Sequence, residues 1–323
     1  MANQTSVVIP CYQVQDYLGE ALRSVREQTT PVREIIVVDD GSPDPVRVPE
    51  DWIGPPLRLL RTENRGLPAA RNLGIAQSSG EFVAFLDADD AWEPRKIERQ
   101  EAVLNESRDA AACYTRCVDQ PGFFAFGPYP PADVSNEEFL RVLYYGMFFP
   151  PSSVMVRREL LNSLGGFHEG LGNGEDLELF VRLLARGRFV QVPEPLCWYR
   201  QHAAQFTKNQ YKKIMGTKQA RAAIIAQHAD RLVQAGIPRD RLWDAHRNDT
   251  LLVYYRRDFA AARPLLWDYW KDHPHDWRVL AYAALTWLPS NLVARWRGRL
   301  STASTVVHGG GEQGWQQALS RIP

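Results

Sequence analysis

The sequence predicts a doubly wound α/β sheet followed by an all-helical region. Short β-branched runs alternate with helical-period segments through the first hundred residues. One of those runs, Glu34 to Asp39, is apolar on both faces, as in a buried parallel sheet. Beyond about Gln205 no strand-like run recurs.

Ser6 to Pro10 (SVVIP) reads as the first strand. Asp16 to Gln28 follows as a helix, with Tyr17, Leu18, Ala21, Leu22 and Val25 on one face. Glu34 to Asp39 (EIIVVD) and Leu57 to Leu60 are the next strands, Leu67 to Ala76 is a helix, and Glu81 to Asp87 (EFVAFLD) is a fourth strand. Asp90 is expected to cap a helix beginning near Arg95. Pro121 to Pro131 reads as a loop, Ser153 to Val156 as a strand, and Arg158 to Leu164 as a helix closed by Gly165 and Gly166. Leu177 to Arg186 is helical, and Phe189 to Val192 and Leu196 to Arg200 are separate strands. The helical signal then runs to about Leu300, and Ser301 to Pro323 reads as a flexible tail.

Bulk properties exclude several classes. Lys+Arg and Asp+Glu balance at 38 each, so no global field favours nucleic acid, and phosphate recognition must be local. Cys11, Cys113, Cys117 and Cys197 lack paired spacing and read as reduced thiols in a cytoplasmic protein, with Cys113 and Cys117 in the core or on a helix face. The N-terminus lacks the basic and apolar regions of a signal peptide. Val279 to Leu288 is apolar but falls short of the roughly 20 residues that span a bilayer. It is expected to be a core helix, the alternative being an interfacial segment that places the protein peripherally at the inner face of the membrane. The tryptophans Trp267, Trp270, Trp277, Trp287 and Trp296 are expected to pack in a helical core, with stacking on sugar rings as the other use.

In doubly wound sheets ligands sit at the carboxyl ends of the strands, and those ends are chemically loaded here. The first strand ends in Pro10-Cys11-Tyr12, the second in Asp39-Asp40-Gly41-Ser42, and the fourth in Asp87-Ala88-Asp89-Asp90. Asp87-x-Asp89 offers hard oxygen ligands to a divalent cation, and a turn that caps the next helix would use the same residues. Asp39-Asp40 at a strand end suits ribose hydroxyls or a base N–H, although Asp, Gly and Ser also favour a plain type I turn. In Asn64 to Gly74 (NRGLPAARNLG), Arg71 can face phosphates or base, or lie on the surface. Glu175-Asp176 opens a helix, where acids suit the helix dipole. A dinucleotide fingerprint is missing after the first strand, and no GxxxxGK[ST] phosphate loop occurs.

As an ordered set, SVVIPCYQVQDYL, EIIVVDDGS, NRGLPAARNLGI, GEFVAFLDADD, PSSVMVRRELLNSLGGF, GEDLELFVRL and Trp198-Tyr199-Arg200-Gln201-His202 resemble the family-2 glycosyltransferases of the GT-A fold. The resemblance covers roughly residues 5 to 205. It implies a Rossmann-like GT-A catalytic domain over 1–205, with a nucleotide-binding half to about 108 and an acceptor half over 109–205. A helical region over 206–300 and the tail would follow.

The resemblance also implies roles. Pro10, Tyr12 and Asp40 line the nucleotide pocket, Asp40 meeting the base and Tyr12 stacking on it. Asp39 supports them and Arg71 lies nearby. Asp87 binds ribose or groups around the metal, Asp89 ligates Mn2+ or Mg2+, and His202 completes metal or diphosphate binding. Asp176 is the general base and Glu175 contacts the acceptor or the backbone, the two being able to exchange roles. Cys11-Tyr12-Gln13 departs from the family's commonest run and affects the base-side contacts. The implied activity is inverting transfer of a sugar from a nucleotide-diphosphate sugar, UDP first, to a sugar, glycolipid or polysaccharide acceptor. A catalytically inactive sugar-nucleotide binding or scaffolding protein on the same fold is the alternative.

Overall fold

In a computed structural model of the chain, residues 4–48, 52–120, 123–124, 129–131, 134–146, 149–202 and 209–287 are described. The expected tail, the helical signal past 287, Trp296 and most of the Pro121 to Pro131 loop lie outside them.

Strands β1 (Thr5–Cys11), β2 (Glu34–Asp39) and β4 (Phe82–Phe85) are buried along their whole length. Their β-branched and aromatic side chains have apolar partners above and below the sheet, which is why the runs do not alternate. With β3 (Leu57–Arg61) they form a parallel set in the order β3-β2-β1-β4. Cys11 pairs with Asp39, and Asp39 with Arg61, so the carboxyl ends of three strands finish level.

Helix α1 (Gln15–Arg26) presents Leu18, Ala21, Leu22 and Val25 to this sheet, as its 3.6-residue spacing requires. Helix α2 (Leu67–Gln77) starts at Gly66, whose φ of 95° favours glycine, and has Pro68 in its first turn. It lies so close to the sheet that a Cβ on Gly74 would stand 2.3 Å from Val8 Cγ1. Gly74→Ala is therefore expected to destabilise the fold by about 1–3 kcal/mol, read as a lower urea midpoint at unchanged m-value. An unchanged midpoint would mean that α2 is free to shift.

The second half of the sheet is built differently from the first. Short β5 (Ala91–Trp92) and helix α3 (Lys96–Glu106) lead into β6 (Ala110–Gln120), an eleven-residue strand that propensity does not announce. β6 meets β7 (Phe123–Phe124), and α4 (Asn136–Tyr145) follows, its N-terminus capped by Ser135. β8 (Val154–Arg157) runs antiparallel to both β4 and β6, so the nine-stranded sheet is mixed, in the order β3-β2-β1-β4-β8-β6-β9-β5 with β7 on β6. After α5 (Arg158–Leu164) and α6 (Glu175–Leu184), the two strands expected at 189–192 and 196–200 are one strand, β9 (Arg188–Trp198). Its parallel register on β6 shifts between Thr115 and Cys117, and that irregularity absorbs Pro193 and Pro195 without breaking the strand. All four cysteines are buried thiols, with Cys113 and Cys117 on β6.

Beyond the sheet come α7 (Gln210–Gln234), α8 (Asp244–Tyr255), α9 (Phe259–Asp272) and α10 (Trp277–Leu285). Ile224 and Leu232 of α7 share a core with Leu177, Phe180 and Leu183 of α6, so this region is packed onto the sheet layer. Ile214, Val253, Leu265, Leu266, Tyr269 and Val279 form a further core among the helices. Lys218–Asp268 and Arg221–Asp249, each at 2.6 Å, tie α7 to its neighbours. Of the expected core tryptophans, Trp270 is partly buried against this core, whereas Trp267, Trp277 and Trp287 are 46%, 69% and 72% exposed. Leu265, Leu266, Tyr269, Val279 and Ala283 take the inward stripe instead. Among the described residues no helix is long and apolar enough to cross a membrane.

Candidate active site

The candidate residues collect along the carboxyl ends of β1, β2 and β4 and the N-terminus of α6. β1 runs out at Pro10 and Cys11, and Tyr12 beyond it is 41% exposed, leaving its ring open for stacking. Gln13 takes a φ of 58°, and its N–H donates to Ser42 Oγ at 3.2 Å, joining this turn to the one after β2.

Asp39 and Asp40 divide the second turn between them. Asp39 accepts from the N–H groups of Ser42 at 2.9 Å and Val46 at 3.2 Å, and pairs with Arg61 at 2.7 Å. Burial opposes its charge, but these hydrogen bonds and the Arg61 cation outweigh burial and hold Asp39 below the usual carboxylate value. Asp40 accepts from the N–H groups of Arg65 at 3.0 Å and Gly66 at 2.9 Å, fixing the approach to α2. Both acids therefore build the turn after β2 and its link to α2.

Arg71 is 1% exposed and stands between two carboxylates, with Nη2 at 2.7 Å from Asp87 Oδ1 and Nη1 at 2.7 Å from Glu175 Oε1. Burial disfavours its charge, yet Asp87 and Glu175 hold its pKa above the ordinary value. Its planar fork suits this bridge, which a lysine could not span in the same way. The side chain expected near the nucleotide is thus a link from the end of β4 to the start of α6.

Asp89 faces the other way, its Oδ2 lying 2.8 Å from His202 Nε2. Burial raises the Asp89 pKa, and the charge of Asp87 adds to it. The Tyr17 ring lies 4.8 Å from the His202 ring, centre to centre. The pair offers oxygen and imidazole donors beside the Asp87 carboxylate, chemistry that fits a divalent cation. Asp87 is turned to Arg71, and among the described residues no group of three or more His, Cys, Asp or Glu meets around one point. Two of the three expected ligands converge.

Asp90 is not the expected helix cap, since α3 begins after Arg95 with no side-chain cap. Ser152 Oγ donates to Asp90 Oδ2 at 2.5 Å, and the Arg200 N–H donates to Oδ1 at 3.0 Å. Burial, with the charges of Asp87 and Asp89, pushes Asp90 well above the carboxylate range. Arg200 Nε also donates to the Asp89 carbonyl at 2.9 Å. Asp90, Ser152 and Arg200 thus bring the segment bearing His202 against Asp89. Of these, the sequence predicts a capping role for Asp90 and carries no separate expectation for Ser152 or Arg200. The one signal was the position of Arg200 two residues before His202.

Glu175 and Asp176 open α6 behind Gly174. Glu175 is buried against Arg71, and burial, with the charge of Asp176, lifts it to about 7. Asp176 is half-buried, its Oδ1 accepting from the Leu177 N–H at 2.7 Å. Burial raises its pKa, and the Arg71 cation pulls the other way.

A parallel half ending in acids, a mixed half bearing a second acid pair, and a histidine closing the junction define a GT-A-type transferase fold. Residues 6–165 match the family described as glycosyl transferase family 2, and the chain belongs to that family. An uncharacterized glycosyltransferase of Haemophilus influenzae is 27% identical over 203 residues, covering 61% of this chain and 68% of the relative. Another, from Rickettsia prowazekii, is 30% identical over 212 residues, covering 62% of this chain and 65% of its own length. Among solved structures, S. aureus TarS 1–349 in complex with UDP-GlcNAc superposes with a TM-score of 0.58 at 18% identity, over 81% of this chain and 80% of that one. The mannosyltransferase PcManGT from Pyrobaculum calidifontis, in complex with GDP-Man and Mn2+, gives 0.54 at 19% identity, over 93% and 88%. At these identities the structural likeness concerns the fold.

Proposed function

We propose that this chain transfers a sugar, with inversion, from a nucleotide-diphosphate sugar to an acceptor hydroxyl. The observation that carries the reading is the Arg71 bridge, which ties Asp87 on the strand end to Glu175 beside Asp176. A donor held at the strand ends would lie between the Asp89–His202 pair and the Asp176 carboxylate. Asp89 and His202 would hold Mn2+ or Mg2+, and the bound ion supplies charge neutralisation for the departing diphosphate. Tyr12 would stack on the base, with Pro10, Asp39 and Asp40 forming its pocket edge. Asp176 would take the proton of the acceptor hydroxyl as its oxygen attacks the anomeric carbon opposite the diphosphate. Attack by the acceptor itself, with no enzyme-bound sugar, inverts the anomeric centre.

A UDP-sugar is the first choice of donor, supported by the fold shared with a protein bound to UDP-GlcNAc. GDP-sugars come second, on the parallel with PcManGT. The acceptor class is a sugar, glycolipid or polysaccharide of the cell surface. A panel of nucleotide sugars, scored for hydrolysis with and without Mn2+, tests the reading; no turnover or protection from unfolding by any donor would leave only a scaffold of this fold. Within that panel, Asp89→Ala is expected to lower Mn2+-dependent UDP affinity by about 10–100-fold, as loss of a metal contact does. Calorimetry showing wild-type affinity would remove Asp89 from the metal.

A further inference from the structure

The loop that leads into the Glu175-Asp176 pair is seated on α7 at two glycines. Gly174, directly before Glu175, has a φ of 78°, and a Cβ there would lie 2.9 Å from Ala220 Cβ and 3.2 Å from Thr217 Cα. From the opposite side, a Cβ on Gly216 of α7 would lie 2.5 Å from Asn173 Cβ and 3.1 Å from the Asn173 carbonyl oxygen. Glycine inside a helix costs about 1 kcal/mol relative to alanine, and here it permits a close approach of helix and loop. Across that contact Asn173 Nδ2 donates to the Lys213 carbonyl at 2.9 Å and to Thr217 Oγ1 at 3.2 Å. Thr217 Oγ1 in turn donates to the same Lys213 carbonyl at 2.9 Å.

The start of α6 is thus gripped from two directions. Arg71 holds Glu175 from the sheet side, and α7 holds Asn173 and Gly174 from the other. Neither grip touches a reacting atom. Together they leave little freedom in where the Asp176 carboxylate stands.

We infer that Asn173, Gly174, Gly216 and Thr217 form a positioning clamp through which the C-terminal helix α7 sets Asp176 against the acceptor hydroxyl. The inference rests on the reading of Asp176 as the base and gives the helical region a part in turnover. Misplacement of a catalytic group by about 1 Å can cost on the order of 100-fold, so a clamp of this kind governs kcat and leaves donor binding alone.

The test uses the full chain and a nucleotide sugar that the wild type hydrolyses, with UDP plus Mn2+ as the binding probe. Asn173→Ala, which releases the loop, and Gly216→Ala, which pushes it, are each expected to lower kcat by about 10–100-fold, with KM and UDP affinity within about twofold. Thr217→Val should behave like Asn173→Ala, and Thr217→Ser, which keeps the hydroxyl, should restore kcat. Asn173→Ala and Thr217→Val remove only hydrogen bonds at the loop, so they serve if Gly216→Ala fails to fold. Wild-type kcat in both of these variants would overturn the clamp, as would a joint fall of kcat, UDP affinity and melting temperature. Asp176→Asn measured alongside separates the two ideas. If it turns over normally, the base assignment fails; if it is inactive while the clamp variants are not, only the clamp fails.

Discussion

Asp176→Asn is expected to lower kcat by about 10²–10⁴-fold, the usual contribution of a positioned general base, while UDP still binds with wild-type affinity. The two acids at the start of α6 are neighbours in sequence and differ in surroundings. Glu175 is buried, with an oxygen 2.7 Å from Arg71 Nη1, and a carboxylate held in that way is poorly placed to collect a proton from an incoming hydroxyl. Asp176 is half-buried and takes its bond from its own helix, at Leu177. The pH profile adds a second readout. Burial raises the pKa of Asp176, and a base works only when deprotonated, so kcat should fall as pH drops through a value above the ordinary aspartate range. Full turnover by Asp176→Asn, with loss in Glu175→Gln, would move the role to Glu175.

Arg71→Met should destabilise the protein by up to about 3–5 kcal/mol at alkaline pH, where removing one partner of a buried ion pair leaves the other charged and uncompensated. Here a single cation serves two carboxylates, and it is the buried Glu175, more than the partly exposed Asp87, that is stranded. The sign of the pH dependence follows from Glu175. Burial lifts it to about 7 in the folded protein, above its ordinary 4.5, and loss of the Arg71 charge would lift it further. A folded state that binds the proton more tightly than the unfolded chain loses stability as pH rises from about 4.5 through the folded value. The defect of Arg71→Met should therefore be smallest near pH 5 and largest above pH 7, as read from urea denaturation at each pH. Arg71→Lys keeps the charge but not the fork, and should recover only part of the loss. A uniform defect across pH would mean that Arg71 acts through packing against Phe167, whose ring lies 5.2 Å from the guanidinium carbon.

Several parts of this protein could be read without its structure because they depend on local composition. EIIVVD and its neighbours are apolar on both faces, and only a sheet covered on both sides can bury them. The acids at the strand ends follow from the same rule, since a parallel sheet gathers its loops at one edge. Harder to read were features whose signal lies in their partners. β6 begins Ala-Ala-Ala-Cys, a run with little strand propensity, and it is extended because β8 and β9 flank it. β9 joins two runs that read as separate strands, and the shift in register on β6 accommodates the prolines between them.

The sequence by itself determined the class of fold, the edge where chemistry collects and the residue types available there, because periodicity and strand-end acids are properties of single segments. Only the tertiary structure decided what those residues face. It made Arg71 a bridge between Asp87 and Glu175, set Asp89 against His202, and gave Asp90 to Ser152 and Arg200. It also seated the loop before Asp176 on a helix that begins more than thirty residues later in the chain. The physical reason is direction: spacing along a chain fixes which side chains share an edge, but the crossing of α2, α6 and α7 fixes which of them meet.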